Sequence, residues 1–510
     1  MSKHREQRKE PVIEQIASFV WFFVLLLVFK GFFLPLFIIP TGSMAETLCG
    51  AHGTRTCPNC GFVYQVGFQP PGGPQPAEIQ CPNCRWREPF SGEVARDVRR
   101  TIGDRITVLS WPYDLAVPAL GPKHWDVVVF RNPQDSEENY IKRLIGLPGE
   151  KVEIIDGDVF INDEILRKPA HVQETLWFPY FDADYVPRRA GGRGETYRPR
   201  WTAVADAEGW SGLDGRVFTY RGGWSARRET EPGVLQFVNT PGGDRGAVGI
   251  VQDVYGYNPT ALWFGPGQRR DVDDYVAVSD VRLSAQVEIV DGDGHVELTT
   301  TKADDRLVAR LHADGRLELL RTALDGSNEE LWGARQVRRG RPVALALANA
   351  DRRVIVTVDG AAVLTSPATY TVSAAEARAQ ASRAPRAPVL RIGAVDVLAT
   401  VARVRIDRDI YYRSDLQTAD GRYGHGTQGR AYQLRDAEYF VLGDNSPNSA
   451  DSRAWMQVGP HLRATDFHLG AVPADQMIGR AFFVYWPGFL PMPWSGPSIV
   501  PNFGRTRWIY

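Results

Sequence analysis

Lysine is scarce in this chain of 510 residues, confined to Lys3, Lys9, Lys30, Lys123, Lys142, Lys151, Lys168 and Lys302. A lysine inside an apolar stretch therefore stands out. An excess of charge of either sign is also lacking: 59 Lys and Arg balance 60 Asp and Glu for a formal charge of −1. That balance excludes a polybasic nucleic-acid binder and a disordered acidic tail, and no nucleic-acid partner is expected. No fixed-period repeat occurs. The 49 glycines and 35 prolines fall short of a low-complexity composition and rule out collagen and coiled coil. They favour a turn-rich β protein. The length allows three or four domains, or fewer if one β unit is large.

One long hydrophobic run is present, IASFVWFFVLLLVFKGFFLPLFII from Ile16 to Ile39. At 1.5 Å per residue it exceeds the roughly 30 Å hydrocarbon core of a bilayer. A single membrane helix over about Val12 to Leu34 is expected, with Lys30 snorkelling to the interface and Pro35 ending or kinking the helix. Lys3, Arg5, Arg8 and Lys9 precede it and no basic residue lies in 42–51, so the N-terminal tail 1–11 is expected in the cytoplasm. Everything after the anchor, 12–39, is then extracytoplasmic at the inner membrane. A cleaved signal peptide is the competing reading; the run is longer than the usual h-region and lacks a clear A-x-A exit.

Residues 49–89 read as a small insert held by metal. Cys57-Pro-Asn-Cys60 and Cys81-Pro-Asn-Cys84 are two C-x2-C knuckles 20 residues apart, a four-thiolate zinc-ribbon spacing. Two tight turns presenting two thiolates each close a tetrahedron around Zn²⁺ with no open position, hence a structural role. Disulfides remain the competing reading in an oxidising compartment.

From 90 to 165 short β patterns recur, with Asp156-Gly157 as a hairpin turn. The inserted region 166–434 contains a β-rich unit at about 200–413, in which Val281, Leu283, Ala285, Val287 and Ile289 alternate onto one face. Turns are expected at Asp314-Gly315 and Asp359-Gly360, and 375–388 reads as an Ala/Arg/Pro loop. The texture is that of a concanavalin/laminin-G-like β-sandwich. No ligand is specified by the sequence; glycan, envelope polymer and partner protein are all compatible, as is a unit that only enlarges the structure. Apolar-rich texture returns in 435–510, where FFVYWPGFLPMPWSGP reads either as ordinary core packing or as an interfacial aromatic belt.

Three stretches hold candidate chemistry. Ser43 lies in PTGSMAETL directly after the anchor, where by local sequence alone it is equally a turn or capping residue. Lys142 lies in YIKRLIG, and strand alternation puts it on the face opposite Ile141 and Arg143. Enclosed by apolar neighbours, a lysine loses charge stabilisation and becomes an available base, which a serine nucleophile needs when no histidine assists it. An ion-paired strand-edge lysine is the ordinary alternative. The third stretch is GDNSPNSADSR at 443–453, an elaborate turn or a site loop.

Together PTGSMAETL, GDRI at 103–106, HWDVVVF at 124–130, YIKRLIGLPGE at 140–150 and LGDNSPNSADSR at 442–453 resemble bacterial type I signal peptidase, a membrane-anchored Ser/Lys protease. The resemblance implies a mainly β catalytic domain assembled from 40–48, 90–165 and 435–510. It implies Ser43 as nucleophile, Lys142 as general base, Thr41 as the hydroxyl joining the Ser43 N–H in the oxyanion hole, and Ser449 as the hydroxyl orienting the amine. Asp451 and Arg453 are implied as supporting residues. No cofactor is implied for catalysis. The implied partners are signal-peptide-bearing preproteins, the lipid bilayer and the export machinery. Glu46 departs from the family pattern, which has proline there. A second reading is a catalytically silent or narrow-specificity paralogue serving as an envelope-binding scaffold, against which the intact Ser43, Lys142 and Ser449 argue. A self-cleaving repressor-type Ser/Lys protease is contradicted by the anchor.

Overall fold

A computed structural model of the chain describes residues 12–69, 73–114, 120–188, 199–204, 209–222, 233–237, 251–265, 268–271, 275–383, 388–415, 424–463, 467–487 and 502–510. The tail 1–11, part of the QPPGGPQP turn and most of the expected aromatic belt lie outside them. The described structure is mainly β.

A helix runs over Val12–Phe32, about as long as a hydrocarbon core is thick, and its described side chains from Val12 to Val28 are exposed. The side chains of Phe29 and Phe32 are outside the described set, and among the described residues no helix is long and apolar enough to cross a membrane. Leu36–Ile38 then enters the sheet that carries the site. In spatial order this sheet contains Leu36–Ile38, Arg105–Leu109, Met477–Trp486, Val127–Arg131, Asn139–Gly146, Glu438–Leu442 and Val472–Pro473, with Arg507–Trp508 added on Met477–Trp486. Every described pairing is antiparallel. A smaller sheet orders Glu164–Ile165, Asp158–Ile161, Lys151–Ile155 and Tyr432–Gln433. Its hairpin turns at Asp156 and Gly157, both left-handed with φ of 49° and 85°, as a type I′ turn requires.

The large insert is built on two long strands, Val281–Lys302 and Arg391–Arg408, paired with each other along most of their length. Val281–Val287 pairs on its other edge with Val343–Asn349, and His295–Lys302 with Asp305–His312. Register shifts between Ile289 and Asp291, and again between Gly292 and His295, separate these two halves. Such irregularities bend a strand, and the hairpins hung on each half contribute to one core containing Leu307, Leu319, Leu345 and Val356. Val281, Leu283, Ala285 and Val287 are all buried in it, with Ile289 packed at its margin.

Two features differ from the sequence expectation. The stretch expected as a loop from 375 is helical over Ala374–Ala381, because Ser373 and Glu376 form a reciprocal capping box. The helix packs Ala374 and Ala377 on Ile155 and Phe160. The cysteine-rich segment also does not stand apart from the large insert: its strand Gln75–Gln80 pairs with Arg87–Pro89 on one edge and with Ala261–Gly265 on the other.

Candidate active site

Ser43 follows the strand Leu36–Ile38 in a tight loop that two apolar side chains fasten to the sheet. Met44 and Leu48 are fully buried against Ile39, Ile106 and Val108. Ala45 N–H donates to the Gly42 carbonyl and Leu48 N–H to that of Met44. Ser43, between Gly42 and Met44, is left facing the sheet and is 8% exposed.

Lys142 comes from the strand Asn139–Gly146, opposite Val128 of the neighbouring strand. Its Nζ lies 2.7 Å from Ser43 Oγ and 3.0 Å from the Ile141 carbonyl. The strand is covered on both faces, so Ile141, Lys142 and Arg143 are all buried. Burial pushes the Lys142 amine down to about 8, against the opposing pull of Asp451 and Asp444.

The loop 443–453 closes over the pair. Gly443 is required there: a side chain on it would collide with Ser449 Oγ and the Ser43 carbonyl. Asn445 N–H donates to the Ser43 carbonyl, 3.0 Å away. Arg453 clamps Asp451 through two hydrogen bonds of 2.8 and 2.6 Å, with both side chains fully buried. Burial alone would raise the Asp451 carboxyl; the Arg453 guanidinium outweighs it and holds the group below its ordinary range. Asp451 also accepts from Gly443 N–H, so the pair sets the path of the loop.

The remaining expected residues lie around this pair. Thr41 is exposed, next to Gly42. Ser449 Oγ is buried over Gly443 and helps to lower the Asp451 carboxyl, while the Lys142 amine bonds to Ser43 and Ile141 and not to Ser449. Glu46, the departure from the family pattern, accepts a hydrogen bond from Gly256 N–H of the large insert at 3.0 Å.

Sequence reasoning passed over Arg143, Asp444 and Asn445. Arg143 forms a bidentate pair with Asp444 at 2.8 and 2.7 Å, and both are fully buried. Its remaining donors reach the Trp125 carbonyl and the backbone oxygen of Tyr510, each at 2.8 Å. All three lie inside quoted motifs; the available signal was an arginine beside Lys142 in an otherwise apolar strand, which needs a buried acid as partner.

The four cysteines converge. Cys57 Sγ is 3.6 Å from Cys84 Sγ and Cys60 Sγ is 3.7 Å from Cys81 Sγ, with all four sulfurs within 4.8 Å of one another. These spacings are compatible with the edges of a thiolate tetrahedron, for which metal–sulfur bonds are about 2.3 Å, and are far too long for S–S bonds of about 2.05 Å. Both knuckles use the same turn, with Gly61 N–H donating to the Cys57 carbonyl and Arg85 N–H to that of Cys81.

The model of the family "Signal peptidase, peptidase S26" matches residues 94–185 and 372–486. Both segments are thus similar to the signal peptidase domain of family S26. The matched segments hold Lys142, Arg143 and the whole loop 443–453, while Ser43 precedes them and 186–371 falls between them. Signal peptidase I of Rickettsia canadensis is 50% identical over 50 residues, 10% of this chain and 19% of that protein. That of Rickettsia typhi is 51% identical over 47 residues, 9% of this chain and 18% of that protein. The chain thus spans about a fifth of the length of the curated relatives it matches. Among solved structures, the carbohydrate-binding module CBM66 from Bacillus subtilis aligns with 41% of this chain and 95% of its own at 11% identity and a TM-score of 0.24. The galectin LEC-6 of Caenorhabditis elegans aligns with 24% of this chain and 82% of its own at 14% identity and a TM-score of 0.18.

Proposed function

We propose that this chain is a membrane-anchored serine endopeptidase that removes signal peptides from exported preproteins. The observation that carries the reading is the buried contact of 2.7 Å between Lys142 Nζ and Ser43 Oγ, with no histidine in it. An amine titrating near 8 is neutral in a useful fraction of molecules at neutral pH. The neutral amine accepts the Ser43 proton, and Oγ attacks the scissile carbonyl. The Ser43 N–H and the Thr41 hydroxyl take the oxyanion. Lys142 then protonates the leaving amine, and the same amine activates the water that releases the acyl-enzyme.

The membrane assignment rests on the apolar helix Val12–Phe32 and on the exposed apolar side chains Phe33, Leu36 and Ile38 that follow it. The N-terminus is placed in the cytoplasm and the catalytic domain outside the inner membrane by the charge of the tail. Cys57, Cys60, Cys81 and Cys84 are assigned a structural zinc ion, which the tetrahedral sulfur spacing fits.

The test is cleavage of a signal-peptide-bearing precursor by detergent-solubilised protein, with the product mapped by mass spectrometry. Cleavage after a small-x-small motif, reduced by about 1,000-fold or more in both Ser43→Ala and Lys142→Ala, is the expected result. Absence of cleavage across several precursors by folded protein would favour the silent-scaffold reading.

A further inference from the structure

The large insert reaches the nucleophile loop through three consecutive residues, Gly256, Tyr257 and Asn258. The Asn258 and Asn445 side-chain amides exchange two hydrogen bonds of 2.8 Å, each donating to the other's oxygen. Because the two ends of a primary amide are chemically opposite, this exchange fixes which way each amide faces. The second proton of Asn445 Nδ2 then points at the Gly42 carbonyl, 2.9 Å away.

The Gly42 carbonyl and the Ser43 N–H belong to one planar peptide unit and point in opposite directions. Holding the carbonyl therefore aims the N–H. Tyr257 adds a steric hold: a Cβ built on Gly42, or on Gly67 of the cysteine-rich segment, would come within 2.0 Å of its Cε1. The ring thus lies between the nucleophile loop and the ribbon. The Tyr257 carbonyl accepts from Gly67 N–H at 2.8 Å, and its hydroxyl donates to the Ala51 carbonyl at 3.0 Å. Gly256 N–H holds Glu46 on the other flank of Ser43.

We infer that the insert is a working part of the active site, with Asn258 a positioning residue that aims the Ser43 N–H at the developing oxyanion by orienting Asn445. The inference rests on Ser43 being the nucleophile. An insert that was a passenger on the peptidase would be expected to leave the Gly42–Ser43 peptide to the peptidase's own residues; here the amide that orients it is itself oriented from 187 positions away.

The test uses the full chain in detergent and compares wild type with Asn258→Ala and Asn258→Asp. Misaiming one oxyanion donor is expected to lower kcat for precursor cleavage by about tenfold or more in Asn258→Ala, with KM within about twofold and the pH limb of Lys142 unmoved. Asn258→Asp keeps the oxygen that accepts from Asn445 but sets a second acceptor against Asn445 Oδ1 in place of the donor, so its kcat should also fall, because the amide is no longer held in one orientation. Amide hydrogen exchange should quicken in 41–48 of Asn258→Ala and stay unchanged in 281–302. An Asn258→Ala protein with wild-type kcat overturns the inference, as does one whose strand 281–302 also loses protection, which marks a folding effect. If wild type cleaves no precursor, the proposed function fails. The exchange measurement still decides the inference in that case: unaltered exchange in 41–48 overturns it, and selective quickening there supports the coupling of insert to loop.

Discussion

Lys142 shows how one buried side chain links stability to chemistry. Its amine titrates at about 8 when folded, against an ordinary 10.5, because burial disfavours the charge. Between these values the unfolded chain holds more protons than the folded one, so stability rises with pH across that window, and the full cost applies below it. That cost is on the order of 3 kcal/mol. Lys142→Met is therefore expected to be more stable than wild type at pH 7, with the advantage fading towards pH 10.5, as read from denaturant midpoints across pH. In the active protein kcat/KM should rise with pH through about 8 as the amine loses its proton. A profile flat from pH 6 to 10 would remove Lys142 as the base.

At the scale of elements, the ribbon has a small apolar core that includes its own cysteines, among them Cys57 and Cys81. With the zinc ion proposed above, such an element would depend on its metal. The purified chain is expected to hold about one zinc per molecule by elemental analysis, and to lose it in Cys57→Ser or on chelation. Because Gln75–Gln80 continues into Ala261–Gly265 and Gly67 backs Tyr257, loss of metal should also speed amide exchange in 251–265. Metal-independent exchange there would show that the shared sheet holds without zinc.

For the whole molecule, a buried ionic junction ties the large insert to the smaller sheet. Lys302 of the insert reaches Asp158 of the hairpin at 3.2 Å and Asp280 at 2.7 Å, and within the insert Lys168 reaches Asp351 at 2.6 Å and Asp409 at 2.8 Å. Removing one partner strands buried carboxylates, so Lys302→Met is expected to cost about 3–5 kcal/mol in chemical denaturation. A cost below about 1 kcal/mol would mean the junction is wetter than its burial indicates. At the other end of the chain, removal of residues 1–34 should move the protein from the membrane to the soluble fraction on cell fractionation. Retention in the membrane would give the exposed apolar residues around Trp508 a larger share of the attachment.

Local chemistry was legible without the fold. The Asp156-Gly157 turn follows from two residues that tolerate positive φ, the buried face of Val281–Val287 from period-two alternation, and the convergence of the four cysteines from C-x2-C spacing. Ser43 and Lys142 were chosen by motif, and their approach to 2.7 Å is a property of the assembled sheet. The helix at Ala374–Ala381 was legible in its S-x-x-E capping box and was passed over for its alanine- and proline-rich surroundings. Other contacts left no local mark. The bond from Glu46 to Gly256, the seat of Tyr257 between two glycines and the Asn258–Asn445 amide pair join residues about 190 to 210 positions apart. Hydrogen bonds and van der Waals contacts act over a few ångströms, so composition and periodicity determine which groups are available and which face they take. Only the closed tertiary structure decides which of them meet, and here it decides that the insert meets the nucleophile loop.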